Sequence, residues 1–161
     1  PRAGTEALLS VEKFDGPIWE PACGDGAISR ILEERGYQVI STDLVQRGYG
    51  TPRVDFLMEQ HSLAPNIVTN PPFKYVEHFV AKALQLTTGK VAMLARLAFL
   101  EGKARKIMFE STPLARVWVF SSRLAISRAG EEWRSKQGGM VAFAWFVWEK
   151  SYSGKPTIGW L

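Results

Sequence analysis

Two short stretches of this chain have residue types and spacing suited to chemistry. The first is Ile67-Val68-Thr69-Asn70-Pro71-Pro72-Phe73. Ile67 and Val68 belong inside a strand, and the two prolines cannot donate to a strand ladder, so the strand must stop at Thr69 or Asn70. The chain then leaves by a stiff exit that presents one side-chain amide, bare carbonyls and an aromatic face. That is a costly way to make an ordinary turn, and it marks a candidate site. The second stretch runs from Trp19-Glu20-Pro21-Ala22-Cys23 through Gly24-Asp25-Gly26 to Ala27-Ile28. It reads as a strand, a tight turn and a helix start. Gly24 and Gly26 allow unusual dihedrals and a close approach by a ligand.

The turn is selective about that ligand. The third glycine of a G-x-G-x-x-G dinucleotide fingerprint is missing, because Ser29 stands there. No G-x-x-x-x-G-K-[ST] loop is present for a nucleoside triphosphate. Glu20 and Asp25 put negative charge at the turn, which repels a pyrophosphate and welcomes a cation. S-adenosylmethionine carries a sulfonium, an ammonium and no phosphate. Asp43 lies 19 residues beyond Gly24, at the end of the next strand, where a carboxylate can accept hydrogen bonds from both ribose hydroxyls.

These residues need a scaffold, and the pattern supplies an alternating one. Helices are expected over 5–13, 27–35, 75–86 and 103–110. Strands are expected over 17–19, 37–42, 65–69, 90–96, 115–120 and 140–148, with a short strand or extended segment at 54–57 and turns over 45–52. Strands alternating with helices predict an α/β fold, a three-layer Rossmann-like sheet, mostly parallel with an antiparallel edge strand. In such sheets ligands sit beyond the carboxyl ends of the strands, where Glu20–Gly26, Asp43, Asp55-Phe56 and Asn70–Phe73 all fall.

The 161 residues suit one domain over 1–161, with no room for a separate target-recognition domain. No apolar run reaches the roughly 20 residues of a membrane span. The opening Pro1-Arg2-Ala3 shows no signal-peptide pattern, and without an initiator Met the native start is left open. Cys23 is the lone cysteine, which excludes an internal disulfide and makes the cytoplasm the expected compartment. The net charge is +4, but it is unevenly spread: residues 89–139 hold ten Lys or Arg against four acids. A basic C-terminal half suits a polyanionic partner.

In order and spacing, Glu20–Gly26, Asp43, Asp55-Phe56 and Asn70–Phe73 resemble the motifs of class I S-adenosylmethionine-dependent methyltransferases. Within that class the chain resembles the amino-methylating branch that includes DNA N6-adenine methyltransferases and the modification subunits of restriction systems. The resemblance implies a cofactor, S-adenosylmethionine, leaving as S-adenosylhomocysteine, and no metal. It assigns the methionine part to Glu20, Pro21, Ala22, Cys23, Gly24 and Gly26, with Thr5 from a covering segment. It assigns the ribose to Asp43 beside Leu44, the adenine amino group to Asp55, and ring packing to Phe56. Asn70 borders the cofactor as well as the target.

An exocyclic base amine is a poor nucleophile because its lone pair is delocalised into the ring. Two acceptors on its N–H bonds pull the nitrogen towards tetrahedral geometry and stabilise the charge that develops. The resemblance assigns these roles to the Asn70 side-chain oxygen and the Pro71 carbonyl, with Pro72 fixing the path and Phe73 stacking on the ring. No strong general base is needed, so His61 and His78 are read as exposed or ordinary helix-face residues. Lys74, Lys103, Arg105, Lys106, Arg123, Arg128, Arg134 and Lys136 are the expected nucleic-acid contacts, with Trp133 read as packing. DNA is the first expected partner, with RNA methylation at adenine N6 or guanine N2 as the alternative. Glutamine methylation in a protein and a catalytically silent binding subunit remain further alternatives. A specificity partner or a homodimer would supply sequence choice, and no membrane partner is expected.

Overall fold

A computed structural model describes residues 2–122 and 141–161. Eight strands form one sheet in the order β3-β2-β1-β4-β5-β7-β6-β8. They are β1 (Ile18–Glu20), β2 (Val39–Asp43), β3 (Thr51–Pro52), β4 (Asn66–Thr69), β5 (Lys90–Arg96), β6 (Leu114–Val119), β7 (Phe143–Glu149) and β8 (Thr157–Trp160). Strands β3, β2, β1, β4 and β5 are parallel neighbours, β6 and β8 pair in parallel, and β7 runs antiparallel to both β5 and β6. The expected mostly parallel α/β sheet is present. Its antiparallel strand is internal rather than at the edge, because every residue from Phe143 to Trp148 is buried and needs cover on both faces. The edge on that side is β8, which no sequence pattern had marked.

Helices α1 (Arg2–Val11) and α2 (Ser29–Glu34) cover one face, and α3 (Val76–Leu86) and α4 (Lys103–Ser111) the other. The alternation along β5 shows why. Ala92 and Leu94 join Leu8, Ile28 and Leu32, whereas Val91, Met93 and Ala95 join Phe79, Val80 and Ala83. Helix α2 begins two residues later than expected, because the turn still occupies Ala27, whose N–H bonds Asp25 Oδ1 at 3.2 Å. Residues 51–52, expected as turn, form an edge strand, a position that tolerates a proline. Residues 56–58, which overlap the extended segment expected over 54–57, form instead a 3-10 turn.

Buried Glu12 ties α1 to the far side of the sheet. Its carboxylate accepts from Arg116 Nε, from Trp118 Nε1 at 2.9 Å and from Lys90 Nζ at 2.9 Å. Arg116 also bonds Glu149 at 2.7 Å. Burial works to raise the Glu12 pKa, but the hydrogen bonds from Arg116, Trp118 and Lys90 outweigh it and hold it below the usual carboxylate range. Its contribution is therefore present above the ordinary carboxylate pKa and is lost as pH falls through the lower folded value. Glu12→Ala is expected to cost about 3 kcal/mol in urea unfolding at pH 7, since it takes from Lys90 its carboxylate partner and from Arg116 one of its two. The gap between variant and wild type should narrow as the acid is titrated.

Candidate functional site at the carboxyl edge of the sheet

The carboxyl ends of β2, β1, β4 and β5 lie side by side, since these strands are parallel neighbours. The chain reverses its winding between β1 and β4, which is where such sheets hold ligands. The site therefore assembles from four strand exits.

At the first exit, Gly26 turns with φ +83°. A Cβ there would meet the Tyr49 ring at 2.6 Å, so only glycine fits beneath that ring. Tyr49 is itself held, its hydroxyl donating to Glu33 at 3.0 Å and the Arg30 guanidinium lying 4.5 Å from its ring centre. Pro21 and Cys23 are buried and Ala22 and Gly24 half-buried, so the turn presents a thin rim. Burial, with the nearby Glu20 and Asp43 carboxyls, pushes the Cys23 thiol up to about 12, so it stays protonated and is no nucleophile.

Glu20 departs from expectation. It is 1% exposed, and its Oε2 accepts from the Ser29 N–H at 2.8 Å and from the Ser29 hydroxyl. Burial, aided by the charges of Asp25 and Asp43, raises its pKa to about 8 against the two Ser29 hydrogen bonds. Near neutrality Glu20 is therefore mostly a neutral acid inside the turn, not a charge on its surface. The exposed carboxylate of the turn is Asp25.

At the second exit, Asp43 is 8% exposed and joins two strand ends. Its Oδ2 accepts from the Gly24 N–H and its Oδ1 from the Val45 N–H, each at 2.8 Å. Each oxygen keeps a second lone pair for a hydroxyl. Leu44 beside it is exposed. Asp55 caps the 3-10 turn, accepting from the Leu57 N–H at 3.0 Å. Phe56 is a correction. At 2% exposure it packs edge-on against Trp19 at 5.1 Å and tilted against Phe79 at 4.9 Å, so it belongs to the core and offers no face to a ring.

At the third exit, the Pro72 carbonyl accepts from the Tyr75 N–H at 2.8 Å and starts the 3-10 turn Phe73–Tyr75. The Pro71 carbonyl accepts no hydrogen bond among the described residues. Asn70 Oδ1 is shielded from solvent and also lacks a partner among the described residues, so the amide oxygen is covered rather than presented as expected. A half-turn about its soft terminal torsion would present it. Thr5 Oγ1 and Thr69 Oγ1 are likewise buried and unpartnered among the described residues. Such orphaned atoms cost about 1–3 kcal/mol each unless something bonds them. An orphaned oxygen at Asn70, a glycine turn and a free lone pair on each Asp43 oxygen fit a ligand with amine and hydroxyl donors, as S-adenosylmethionine has.

Phe73 is 39% exposed. Two residues that sequence reasoning did not single out stand against it: Phe143 at 5.7 Å and the Arg96 guanidinium at 4.7 Å from the ring centre. Their signal was positional, since Arg96 closes β5 beside the exit of β4 and pairs across the ladder with Phe143. Tyr49, Ser29 and Ser41 were also missed. Only Tyr49 carried a mark, lying between Gly48 and Gly50.

The basic residues divide. Lys74 and Lys103 are exposed, and exposed Lys106 pairs with Glu110 at 3.8 Å. Arg105 is already engaged, donating to Glu77 at 2.7 Å and to the Ala98 and Glu101 carbonyls, which pins α4 to α3. Arg123, Arg128, Trp133, Arg134 and Lys136 lie outside the described residues. His61 and His78 are exposed. A cavity of about 470 Å³ opens at the opposite end of the sheet, lined by Lys90, Arg116, Glu12 and Glu149. Those charges already satisfy one another, so it is not the site described here. No described helix is long and apolar enough to cross a membrane.

Solved structures share this arrangement. A proposed RNA methyltransferase of Pyrococcus horikoshii matches with a TM-score of 0.64 at 13% identity, covering 92% of this chain and 81% of its own. The chain has the class I methyltransferase fold. Magnesium protoporphyrin IX methyltransferase from Synechocystis, with bound S-adenosylmethionine, matches this fold with a TM-score of 0.58 at 13% identity over 93% and 76% of the two chains. A modification subunit of a proposed type I restriction enzyme from Vibrio vulnificus matches with a TM-score of 0.59 at 14% identity, covering 98% of this chain but 44% of its own. The chain thus spans less than half of that subunit. No protein-family model and no curated protein matches the sequence.

In this methyltransferase fold the buried acid makes a direct prediction. Because the folded pKa of Glu20 is raised, its contribution is complete below the ordinary 4.5 and is lost as pH rises through about 8. Glu20→Gln keeps an acceptor for Ser29 without a titrating proton. In urea titrations the variant should match wild type near pH 5 and exceed it by a few kcal/mol at pH 8. A gap that does not change with pH would contradict the assignment.

Proposed function

We propose that this chain transfers the methyl group of S-adenosylmethionine to the exocyclic amine of a nucleic-acid base, with adenine N6 in DNA as the first substrate. The observation that carries the reading is the meeting, on one sheet edge, of the Asp43-clamped glycine turn with two acceptors unsatisfied among the described residues, Asn70 Oδ1 and the Pro71 carbonyl. Bound S-adenosylmethionine supplies an electrophilic methyl group on a sulfonium. Asp43 accepts from its ribose hydroxyls, Asp55 from its adenine amine, and the turn from Pro21 to Gly26 borders its amino-acid end with Thr5. Asn70 and the Pro71 carbonyl take one amine N–H each, which frees the nitrogen lone pair. Phe73 holds the ring flat, and base–aromatic stacking is worth roughly 1–3 kcal/mol. A base within a duplex would have to leave its stack to reach Phe73.

RNA is the second reading. It is supported by likeness to the Pyrococcus protein, which is covered over most of its length, whereas the restriction subunit is covered over less than half. The restriction-subunit likeness supports a partner that supplies sequence choice.

Incubation with labelled S-adenosylmethionine and separate DNA, RNA and protein substrates, with products identified by mass, tests the proposal. N6-methyladenine from DNA is expected. Label on guanine N2 or on glutamine would overturn the base assignment. Asn70→Ala should retain cofactor binding by calorimetry and lose on the order of 10²-fold or more in kcat. Full turnover in that variant would remove Asn70 from the mechanism.

A further inference from the structure

The Arg96 side chain takes no part in any assigned step, yet it lies against the proposed stacking residue. It is exposed at the end of β5, one strand over from Asn70, and its guanidinium carbon is 4.7 Å from the Phe73 ring centre. Among the described residues it makes no ion pair and no side-chain hydrogen bond. Arg105, by contrast, uses both its Nε and its Nη1 on protein acceptors.

We infer that Arg96 covers the Phe73 ring until a base stacks there, and then binds the phosphodiester beside the target nucleotide. The inference rests on the nucleic-acid reading above. A guanidinium and a base cannot share one ring face. An exposed cation–π contact is weak enough for a stacking base to displace. The displaced side chain stays tethered at the strand exit, with no ion-pair partner among the described residues. Its fork of donors matches two phosphate oxygens. Phe143, paired with Arg96 in the ladder and packed on Phe73, fixes the distance between platform and cation.

The test is fluorescence anisotropy of labelled single-stranded DNA and RNA oligonucleotides titrated with wild type, Arg96→Gln and Arg96→Lys over a potassium chloride series. Methyl transfer by the wild type to the same oligonucleotides is measured alongside. Arg96→Gln should weaken binding about tenfold at low salt and reduce the slope of log affinity against log salt by roughly 0.7, one phosphate contact on a single strand. Arg96→Lys should restore most of that slope. The DNA and RNA arms show which backbone supplies the phosphate. An unchanged slope in Arg96→Gln, with wild-type transfer intact, rejects the role of Arg96 and leaves the methyltransferase reading standing. A slope lost equally in Arg96→Lys assigns the guanidinium to stacking and also overturns the inference. A wild type that neither binds nor methylates either strand rejects both. Because Arg96 is exposed, matching thermal melts are expected for all three proteins, and binding can be compared directly.

Discussion

The Asp43 carboxylate joins the exits of two neighbouring strands. One oxygen holds the Gly24 N–H in the turn after β1, and the other holds the Val45 N–H in its own turn. Hydrogen bonds to an ionised acceptor are among the stronger ones available to a chain. This pair fixes the glycine turn against β2 and leaves each oxygen of the same carboxylate a second lone pair. Around it the Trp19 indole bonds Thr42 at 2.9 Å and the Cys23 N–H bonds the Thr42 carbonyl at 3.0 Å. A residue read as a ligand contact is thus also the cap of its own strand. Loss of Asp43 would remove both at once.

The buried polar groups divide the edge into a finished half and an unfinished one. Behind the turn, Glu20, Ser29 and Ser41 form a closed set, with the two serine hydroxyls 2.6 Å apart. Protonation lets Glu20 sit there without a charge to solvate. Beyond β4, the carbonyl of Pro71 and the amide oxygen of Asn70 have no partner among the described residues. Ser29 and Ser41 complete a fold, whereas Asn70 and Pro71 are left with acceptors to spare. The proposed transfer uses the second half and depends on the rigidity of the first.

Much of this was legible in the sequence because it was written in backbone rules. Pro71 and Pro72 end a strand whatever surrounds them, and Lys90–Arg96 is a run that only a two-sided strand explains. The positions of Asp43 and Asn70 at strand exits came from the same rules. What failed was orientation. Phe56 next to Asp55 could face a ligand or the core, and only Trp19 and Phe79, distant in sequence, decide for the core. Glu20 read as surface charge because no local pattern shows that Ser29 will fold back over it. Arg105 read as a free cation because Glu77 lies on another helix. Strand β7 read as an edge because its place between β5 and β6 depends on pairings across the whole sheet. Arg96 escaped notice because its neighbour Phe73 belongs to a different strand exit.

In the proposed reaction donor and target meet between the exits of β1 and β4. A crystal structure of the chain with S-adenosylhomocysteine tests it most directly. The ribose hydroxyls are expected on Asp43, the amino-acid end beside Gly24 and Gly26, and the sulfur facing Asn70 and the Pro71 carbonyl. A ligand seated instead in the cavity beside Lys90 and Arg116, or no complex at saturating ligand, would contradict it.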